Sequence, residues 1–257
     1  LFSPEIFYLL AALCFLLLSM TGRLHPRRDH HIALALAVAG VAVCVASLQL
    51  EGSLFSETYK IDLFSQVFKL LLSVGLALVV GICSELRGIQ ERYEQEVYLL
   101  LFLCTLATML LVSSVHWLGV YVSLELSSYS LYILVALRKD WTQGIEAGLK
   151  YFLVGVFASA MMLFGMVILY GTTGTLHVGQ LVKILPGLMS HAAVVVGLLL
   201  ALSGFFFKLA VFPFHFWAAD VYQGAAHQIA AYIATVSKVA AIAVLVRMVA
   251  MLGGSSD

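Results

Sequence analysis

The stretch Gly204-Phe-Phe-Phe-Lys-Leu-Ala-Val-Phe-Pro213 places a lysine inside an apolar run and a proline at its end. Proline cannot donate a hydrogen bond to the carbonyl of Leu209, and its ring clashes with that carbonyl, so we expect the helix to kink or break here. A broken helix at membrane depth is tolerated where its backbone is buried in protein or lines a wet cavity. Lys208 would then lie beside the break. The alternative is an ordinary kinked helix whose lysine snorkels to the membrane surface.

The composition of the whole chain is that of a membrane protein. Of its 257 residues, 62% are apolar and 11% are charged, against about 45 to 50% and about 25% in soluble domains. Because a membrane span needs roughly 20 apolar residues, this composition is enough for about eight spans and leaves no room for a separate soluble catalytic domain. The formal net charge is zero, so we expect no nucleic-acid partner.

The apolar residues form runs that lack the two-residue alternation of a membrane barrel. Eight runs cover residues 4–21, 32–50, 64–84, 97–114, 116–137, 149–171, 191–212 and 229–252. They predict an all-α fold, a polytopic membrane helical bundle of about eight spans. Only residues 113–116 remain for the turn between the fourth and fifth runs. The polar interval 171–190 predicts a short surface helix at 177–185.

Lysine and arginine are shared unequally between the loops at the two ends of the predicted bundle. One set of alternate loops holds two of them, Lys60 and Lys183. The other set holds seven, namely Arg23, Arg27, Arg28, Arg87, Arg92, Arg138 and Lys139. Under the positive-inside rule the second set is cytoplasmic. We therefore expect the N-terminus, the 51–63 loop and the 172–190 loop on the outer side of the membrane.

Three ionisable residues near mid-span are the candidate functional residues. A charge at the bilayer centre costs about 2.5 to 3.5 kcal/mol on insertion scales and is usually kept for a reason. Glu125 is the tenth residue of the fifth run, with serines around it, and Lys238 is the tenth residue of the eighth. A structural ion pair between these two is the alternative. Together with Lys208 they are two lysines and one glutamate, which favours a titrating chain over a static bridge.

Other polar residues receive more ordinary interpretations. Lys69 and Lys150 lie close enough to polar flanks to snorkel, and we expect Arg247 to be an interfacial anchor. His215, near the break, is either hydrogen-bonded structure or a member of a proton relay, and the polar stretch 215–228 is expected to re-enter or cap the bundle. We expect the cysteines to be packing residues without metal or iron-sulfur ligation, because they lie singly in four spans: Cys14, Cys44, Cys83 and Cys104.

Four motifs, in order along the chain, resemble those of a known family. They are Leu124-Glu-Leu-Ser-Ser-Tyr-Ser-Leu-Tyr132; Glu146-Ala-Gly-Leu-Lys-Tyr-Phe-Leu-Val-Gly-Val-Phe-Ala-Ser159 with Leu169-Tyr-Gly-Thr-Thr-Gly174; Phe207-Lys-Leu-Ala-Val-Phe-Pro-Phe-His-Phe-Trp217 with Asp220-Val-Tyr-Gln-Gly-Ala225; and Ser237-Lys-Val-Ala-Ala241. This set resembles the antiporter-like membrane subunits of respiratory complex I, the proton-pumping NADH:quinone oxidoreductase, and among them the subunit N branch. The resemblance is strong over residues 97–252 and rests on hydropathy alone before that.

The resemblance implies a fold, a function and roles for residues. It implies a three-helix segment at 1–96, one antiporter-like five-helix repeat with a broken seventh helix at 97–252, and a closing loop at 253–257. The function implied is proton translocation through a relay of Glu125, Lys208 and Lys238, with His215 and Lys150 as secondary members. No cofactor is expected in this chain. NADH, flavin, iron-sulfur clusters and quinone would belong to partner subunits of the complex, in a bacterial plasma membrane.

The chain departs from the family pattern in its prolines and in its length. The family has Trp-Thr-Pro-Asp where this chain has Trp217-Ala-Ala-Asp220, and Gly-Ala-Pro-Thr-Pro where it has Gly224-Ala-Ala-His-Gln228. Family members also have a second inverted repeat, which implies that this chain is the N-terminal part of a longer protein. The alternatives are a subunit of a multisubunit sodium/proton antiporter or of a membrane-bound hydrogenase-type complex, and a passive assembly scaffold. The segment at 148–152 favours subunit N.

Overall fold

The computed structural model describes residues 1–22, 25–86, 88–138 and 141–253, and within them the chain is a bundle of α-helices with one short β-hairpin. The helices are α1 (Ser3–Met20), α2 (Pro26–Ala46), α3 (Leu63–Gly81), α4 (Glu94–Ser113), α5 (Trp117–Ala136), α6 (Trp141–Thr173), α7 (Val178–Leu188), α8 (Ala192–Ala201), α9 (Ser203–Leu209), α10 (Phe216–Gly224), α11 (His227–Tyr232) and α12 (Lys238–Gly253). The hairpin strands are β1 (Gly52–Leu54) and β2 (Tyr59–Ile61). A π-helical turn, Ile233–Ser237, joins α11 to α12.

Eight helical segments of the described chain are long and apolar enough to cross a membrane, which confirms the predicted number of spans. The predicted surface helix is also present, as α7. The sixth span differs from its prediction because α6 begins at Trp141, well before the apolar run starts. The hairpin in the 51–63 loop was not predicted, because its strands have only three residues each. Of the predicted closing loop, positions 254–257 lie outside the described residues.

The ends of the helices meet in two groups, so that successive spans run in opposite directions. At one end, the hairpin end, Tyr59 pairs with Ser114 and His116 pairs with His177. At the other, the basic end, Ile89 pairs with Arg138. The arginines predicted for one side that the structure describes lie at the basic end, namely Arg27, Arg28, Arg92 and Arg138. Arg23, Arg87 and Lys139 lie outside the described residues.

The fourth span lies at the centre of the bundle, where α4 packs against α1, α3 and α5. The first span is an outer one, with an aromatic and alanine face inward and a leucine face outward. Its buried residues include Tyr8, Ala11, Ala12 and Phe15, and its exposed ones include Leu9, Leu10, Leu13, Leu16 and Leu17. In a bilayer an exposed leucine face contacts lipid, so this division requires no further partner.

The seventh span is broken, as predicted, although the helix ends before the position of the proline. It consists of α8 and α9, and α9 ends at Leu209 rather than continuing to Pro213. The chain then turns and re-enters helical structure as α10, within the predicted return segment. This helix packs against α6, where the Trp217 and Tyr151 rings stack with their centroids 4.5 Å apart.

The missing family prolines do not prevent the turn after α10. Ala225 and Ala226, which link α10 to α11, have φ/ψ of −78°/159° and −63°/145°. These values are those of polyproline II backbone, the conformation that a proline ring would impose. Of the three lost proline positions, Ala226 lies in this link, whereas Ala219 is an ordinary residue of α10 and Gln228 lies in α11. Ala226 therefore keeps a proline-compatible geometry without the covalent restriction of a proline ring.

An ion pair at the hairpin end ties the last span to α3. Arg247 donates from its two terminal nitrogens to the Asp62 carboxylate at 2.9 and 2.8 Å, and Asp62 in turn caps α3 through the Ser65 amide at 2.9 Å. Burial by itself would raise the pKa of Asp62, but the hydrogen bonds from Arg247 and Ser65 outweigh it and hold the pKa below its ordinary value. Arg247 was predicted to be an anchor at the membrane surface. The structure buries it and gives it a specific partner.

We expect the neutral substitution Asp62→Asn to destabilise the protein at pH 7 by roughly 1 to 3 kcal/mol, because asparagine still caps α3 but no longer carries the charge that Arg247 binds. The folded-state pKa is depressed, so this contribution is complete above the unfolded pKa of about 3.9 and is lost as the pH falls through the lower folded value. Thermal unfolding of both proteins in detergent at pH 7 and at low pH measures it. Lys60→Gln is the control, because that ammonium is 3.7 Å from the same carboxylate but exposed. An undiminished difference at low pH would contradict this account.

The backbones of α6 and α8 approach closely at Gly165. A Cβ on Gly165 would meet the Gly197 carbonyl oxygen at 2.6 Å and the Ala201 amide nitrogen at a still shorter distance. These are backbone atoms, which cannot rotate away as a side chain can. We therefore expect Gly165→Ala to destabilise the bundle by about 1 to 3 kcal/mol.

The matched control is Gly171→Ala, because Gly171 lies in the same helix and a Cβ added there would have no atom within 4 Å among the described residues. Alanine is the better helix former, so this control should be neutral or stabilising by up to about 1 kcal/mol. The thermal unfolding midpoints of the two purified variants in detergent make the comparison. Equal midpoints would show that α6 and α8 do not pack as described.

Candidate functional site

Lys208 lies in the last turn of α9, at the break of the seventh span. The helix ends because Ala210 adopts the left-handed conformation, with φ 57° and ψ 43°. The Val211 amide donates to the Phe206 carbonyl at 2.9 Å and the Ala210 amide to the Phe207 carbonyl at 3.0 Å. These two bonds form a Schellman end, which satisfies carbonyls that the helix would otherwise leave unpaired. A lysine at this position also interacts favourably with the negative end of the helix dipole.

The ammonium group of Lys208 is buried and unpaired. Only 3% of the residue is exposed, and its Nζ has no hydrogen-bond partner in the described structure. Glu125 and Cys104 are close enough to interact with it electrostatically. The ion pairs within 4.0 Å among the described residues nevertheless include neither Lys208 nor Glu125. Burying an unpaired ammonium costs free energy, which distinguishes Lys208 from the paired lysines of the bundle.

Glu125 lies on α5, with 8% of its surface exposed, and faces α6. The Ser159 hydroxyl of α6 donates a short hydrogen bond to its carboxylate. The sequence indicated that neighbouring serines would surround this carboxylate, and for Ser127 and Ser128 the structure shows otherwise. Both donate to the Leu124 carbonyl, at 2.8 and 2.7 Å. Serines in a helix commonly bond back to their own turn in this way. The carboxylate interacts instead with Ser159 of α6 and with the Tyr129 hydroxyl of its own helix.

Lys238 begins α12, directly after the π-helical turn. Its side chain is half-buried, and its Nζ lies 5.8 Å from the centre of the Tyr222 ring on α10. The Tyr222 hydroxyl is buried and has no hydrogen-bond partner in the described structure. A π-bulge inside a helix is rare and is often found at functional sites. The composition of residues 233–237 carries no signal for it, so sequence reasoning missed the turn.

The two secondary candidates lie at the surface near the basic end. His215 is exposed, with its ring beside those of Phe212 and Phe216, so it is not the buried histidine that its position near the break suggested. Lys150 is half-exposed, and its Nζ lies 2.8 Å from both the Glu146 and the Asp220 carboxylates. These three charged groups, from α6 and α10, line one open pocket.

A buried charge pair between α1 and α3 was missed by sequence reasoning. Lys69 was predicted to snorkel, and this prediction is wrong: the residue is completely buried, with its Nζ 2.6 Å from the Glu5 carboxylate, which is also completely buried. The signal was the polar face of α3. Gln66, Lys69 and Ser73 are spaced by three and four residues, which places them on one side of an otherwise apolar helix.

Metal ligation finds no support among the residues that the structure describes, since no three of their histidine, cysteine, aspartate or glutamate side chains are grouped closely enough to hold an ion. The cysteines are free, three of them buried and Cys14 partly so. The chemistry that the described site offers is that of proton binding and release by carboxylate, ammonium and hydroxyl groups.

The sequence and the fold can be compared with those of known proteins. The family model described as "NADH:quinone oxidoreductase/Mrp antiporter, TM" matches residues 114–257. The chain is 61% identical over 252 residues to "NADH-quinone oxidoreductase subunit N 2" of Syntrophobacter fumaroxidans, a match that covers 98% of this chain and 53% of that protein. It is 38% identical over 255 residues to the protein of the same name from Opitutus terrae, covering 97% and 53%.

Among solved structures, the chain is similar to one in respiratory complex I from Thermus thermophilus with bound aureothin. The TM-score is 0.80 and the identity 34%, over 95% of this chain and 52% of that one. The chain spans about half the length of the curated relatives it matches. Because it is 61% identical to a subunit N protein and shares the fold of the complex I chain along 95% of its own length, this chain belongs to the NADH-quinone oxidoreductase subunit N family of antiporter-like membrane proteins.

Proposed function

We propose that this chain is part of a proton-translocating membrane subunit of NADH:quinone oxidoreductase, and that Glu125, Lys208 and Lys238 form its proton relay. The single observation that carries the proposal is the unpaired ammonium of Lys208, buried beside a broken membrane helix. A charge kept at membrane depth at a broken helix is characteristic of transport pathways. The names of the relatives supply the complex in which such a pathway would operate.

The proton on Lys208 would be controlled by the position of Glu125. Desolvation favours the neutral form of a lysine, whereas a nearby carboxylate favours the charged form. At present Ser159 holds the carboxylate toward α6, and no ion pair joins it to Lys208. A movement of the carboxylate toward Lys208 would load a proton there, and its return to Ser159 would release one. The charge step must work against the membrane potential, at about 2.3 kcal/mol per charge per 100 mV.

Lys238 is proposed as the next member of the relay. Its side chain is partly exposed, and its ammonium lies over the Tyr222 ring. Among the described residues it has no carboxylate within ion-pair distance. Lys150 and His215 are proposed to exchange protons with water at the basic end, where both are accessible. Loading Lys208 from this end and releasing toward Lys238 would move charge between the halves of the bundle.

The energy for this movement would come from other subunits. We propose that the NADH, flavin, iron-sulfur clusters and quinone of the reaction belong to those subunits, that this chain holds no redox centre, and that other membrane subunits and lipid cover its apolar surface. We also propose a bacterial plasma membrane, with the basic end cytoplasmic and the N-terminus outside. The charge distribution supports that orientation, since the described arginines of the loops gather at the basic end.

We expect Glu125→Gln and Lys208→Met, each introduced into the complete subunit in the assembled complex, to lower the number of protons pumped per electron by at least tenfold. Each change removes one titratable group while keeping side-chain size. Proton uptake by vesicles containing the complex, measured together with NADH oxidation, gives the ratio. Lys183→Met is the control, because this lysine is exposed on α7 and should pump normally. Normal ratios in both relay variants would refute the proposal.

The orientation is tested by labelling intact cells with a membrane-impermeant maleimide. Ser53→Cys, at the hairpin end, should be labelled, whereas Glu91→Cys, at the basic end, should react only after the membrane is permeabilised. Both positions are exposed in the structure, so accessibility to solvent differs only by the side of the membrane. The parent protein with its native cysteines is the blank. Labelling of Glu91→Cys alone would invert the proposed topology.

A further inference from the structure

A second pair of charges lies inside the bundle, away from the relay proposed above. Glu5 of α1 and Lys69 of α3 are both completely buried, and the Lys69 Nζ lies 2.6 Å from Glu5 Oε1. The Tyr59 hydroxyl of the hairpin donates to the same carboxylate oxygen at 2.5 Å. The Lys69 ammonium also lies 5.3 Å from the centre of the Tyr59 ring. The pair therefore stands at the hairpin end, covered by the hairpin.

The groups around this pair are not fully satisfied. The contact of Lys69 with Glu5 lacks hydrogen-bond geometry, and neither Lys69 Nζ nor Glu5 Oε2 has another partner among the described residues. The Gln66 amide nitrogen, on the same helix as Lys69, is also buried without a hydrogen-bond partner among the described residues. A buried ion pair is weak evidence of stabilisation, since apolar replacements are often as stable. Its incomplete hydrogen bonding makes a purely structural role a poor explanation.

Buried hydroxyl and thiol side chains lie between this pair and Lys208, some of them in direct contact and others further apart. Ser73, one helical turn from Lys69, is 2.6 Å from the Tyr8 hydroxyl and also interacts with the Cys44 thiol. Tyr8 is within electrostatic reach of Tyr232, whose hydroxyl is 2.8 Å from Thr105 Oγ1.

The last member of the set before Lys208 is Cys104. The Tyr232 hydroxyl interacts with the Cys104 thiol, and that thiol is one of the two groups that act electrostatically on Lys208. Tyr8, Ser73, Thr105, Cys104 and Tyr232 are all buried. We call this set of side chains the hydroxyl thread. Its members lie on α1, α3, α4 and the eighth span, and Lys208 itself lies on the seventh.

We propose that Glu5 and Lys69 exchange protons with Lys208 along the hydroxyl thread, which gives the first three spans a part in proton transfer. This inference rests on the proposed function, because it needs Lys208 to bind and release protons. In each step a hydroxyl gives its own proton to the next group and accepts one from the previous group, so that only hydrogen moves and each side chain regains its original state. Waters would complete the two longer steps, between Tyr8 and Tyr232 and between Ser73 and Lys69.

The Glu5–Lys69 pair would hold a proton at the end of the hydroxyl thread that is distant from Lys208. In the ion pair the proton lies on Lys69, and its transfer to Glu5 Oε1, 2.6 Å away, would convert the pair into two neutral groups. A proton arriving from Ser73 would reload Lys69, and Glu5 would give its proton to water at the hairpin end and return to a carboxylate. Tyr59 remains a donor to Glu5 throughout and positions the carboxylate.

The test compares matched tyrosine variants of the complete subunit in the assembled complex. We expect Tyr232→Phe to lower the protons pumped per electron at least twofold, with NADH oxidation and assembly retained. We expect Glu5→Gln to lower the same ratio at least twofold and also to weaken assembly, because it leaves the buried Lys69 ammonium unpaired. Tyr98→Phe is the control, because that buried tyrosine bonds the Cys83 carbonyl at 3.3 Å and lies outside the thread. A ratio unchanged by both Tyr232→Phe and Glu5→Gln would overturn the inference.

A double variant separates a relay from a structural bridge. Glu5→Gln with Lys69→Met leaves no unpaired charge, so a purely structural pair would be rescued in both assembly and pumping. A relay would recover its assembly but not its proton ratio. Full recovery of the ratio would therefore overturn the inference. Lys208→Met separates this inference from the proposed function. Normal pumping in Lys208→Met would refute both proposals. Loss of pumping in Lys208→Met together with normal pumping in Tyr232→Phe and Glu5→Gln would refute only the role of the hydroxyl thread.

Discussion

The cost of removing an ion from water decides which charged side chains can be buried in this bundle and which partners they need. In an apolar interior an ionised group is tolerated when an opposite charge or several hydrogen bonds replace its hydration. The structure meets this condition best for Arg247 and Asp62, which share two hydrogen bonds, although Arg247 Nε has no partner among the described residues. The condition is met in part for Lys69 and Glu5, which form an ion pair, and is not met for Lys208. The degree of pairing thus separates charges that hold helices together from those that are free to change protonation.

The broken seventh span satisfies its own backbone groups, whereas the Lys208 ammonium beside the break has no partner among the described residues. The backbone groups at the end of α9 are satisfied locally, by the Schellman bonds and by the Trp217 indole, which donates to the Phe207 carbonyl at 3.0 Å. The aromatic packing of α10 on α6 then holds the turn in place. Backbone satisfaction and an unsatisfied side chain are therefore produced by the same local structure.

The first three spans are joined to the rest of the bundle by polar as well as apolar contacts. Apolar packing of α1 on α4 accounts for their position. The ion pair of Asp62 with Arg247 links the start of α3 to the last span. Buried hydrogen bonds also join Tyr8 of α1 to Ser73 of α3, and Thr105 of α4 to Tyr232 of the eighth span. A segment that served only to fill the membrane would not need buried charges, because lipid and leucine are equally apolar.

The sequence by itself determined the class of fold, the number of spans, the broken seventh helix and the presence of Glu125, Lys208 and Lys238 inside apolar runs. These follow from hydropathy and from proline, which act over a few neighbouring residues. Only the tertiary structure decided which charges meet. It placed Lys69 beside Glu5 rather than at the membrane surface, gave Glu125 a donor from α6, and left His215 exposed. Pairing joins residues that are distant in the chain, and it depends on the rotation and packing of each helix, which local periodicity does not specify.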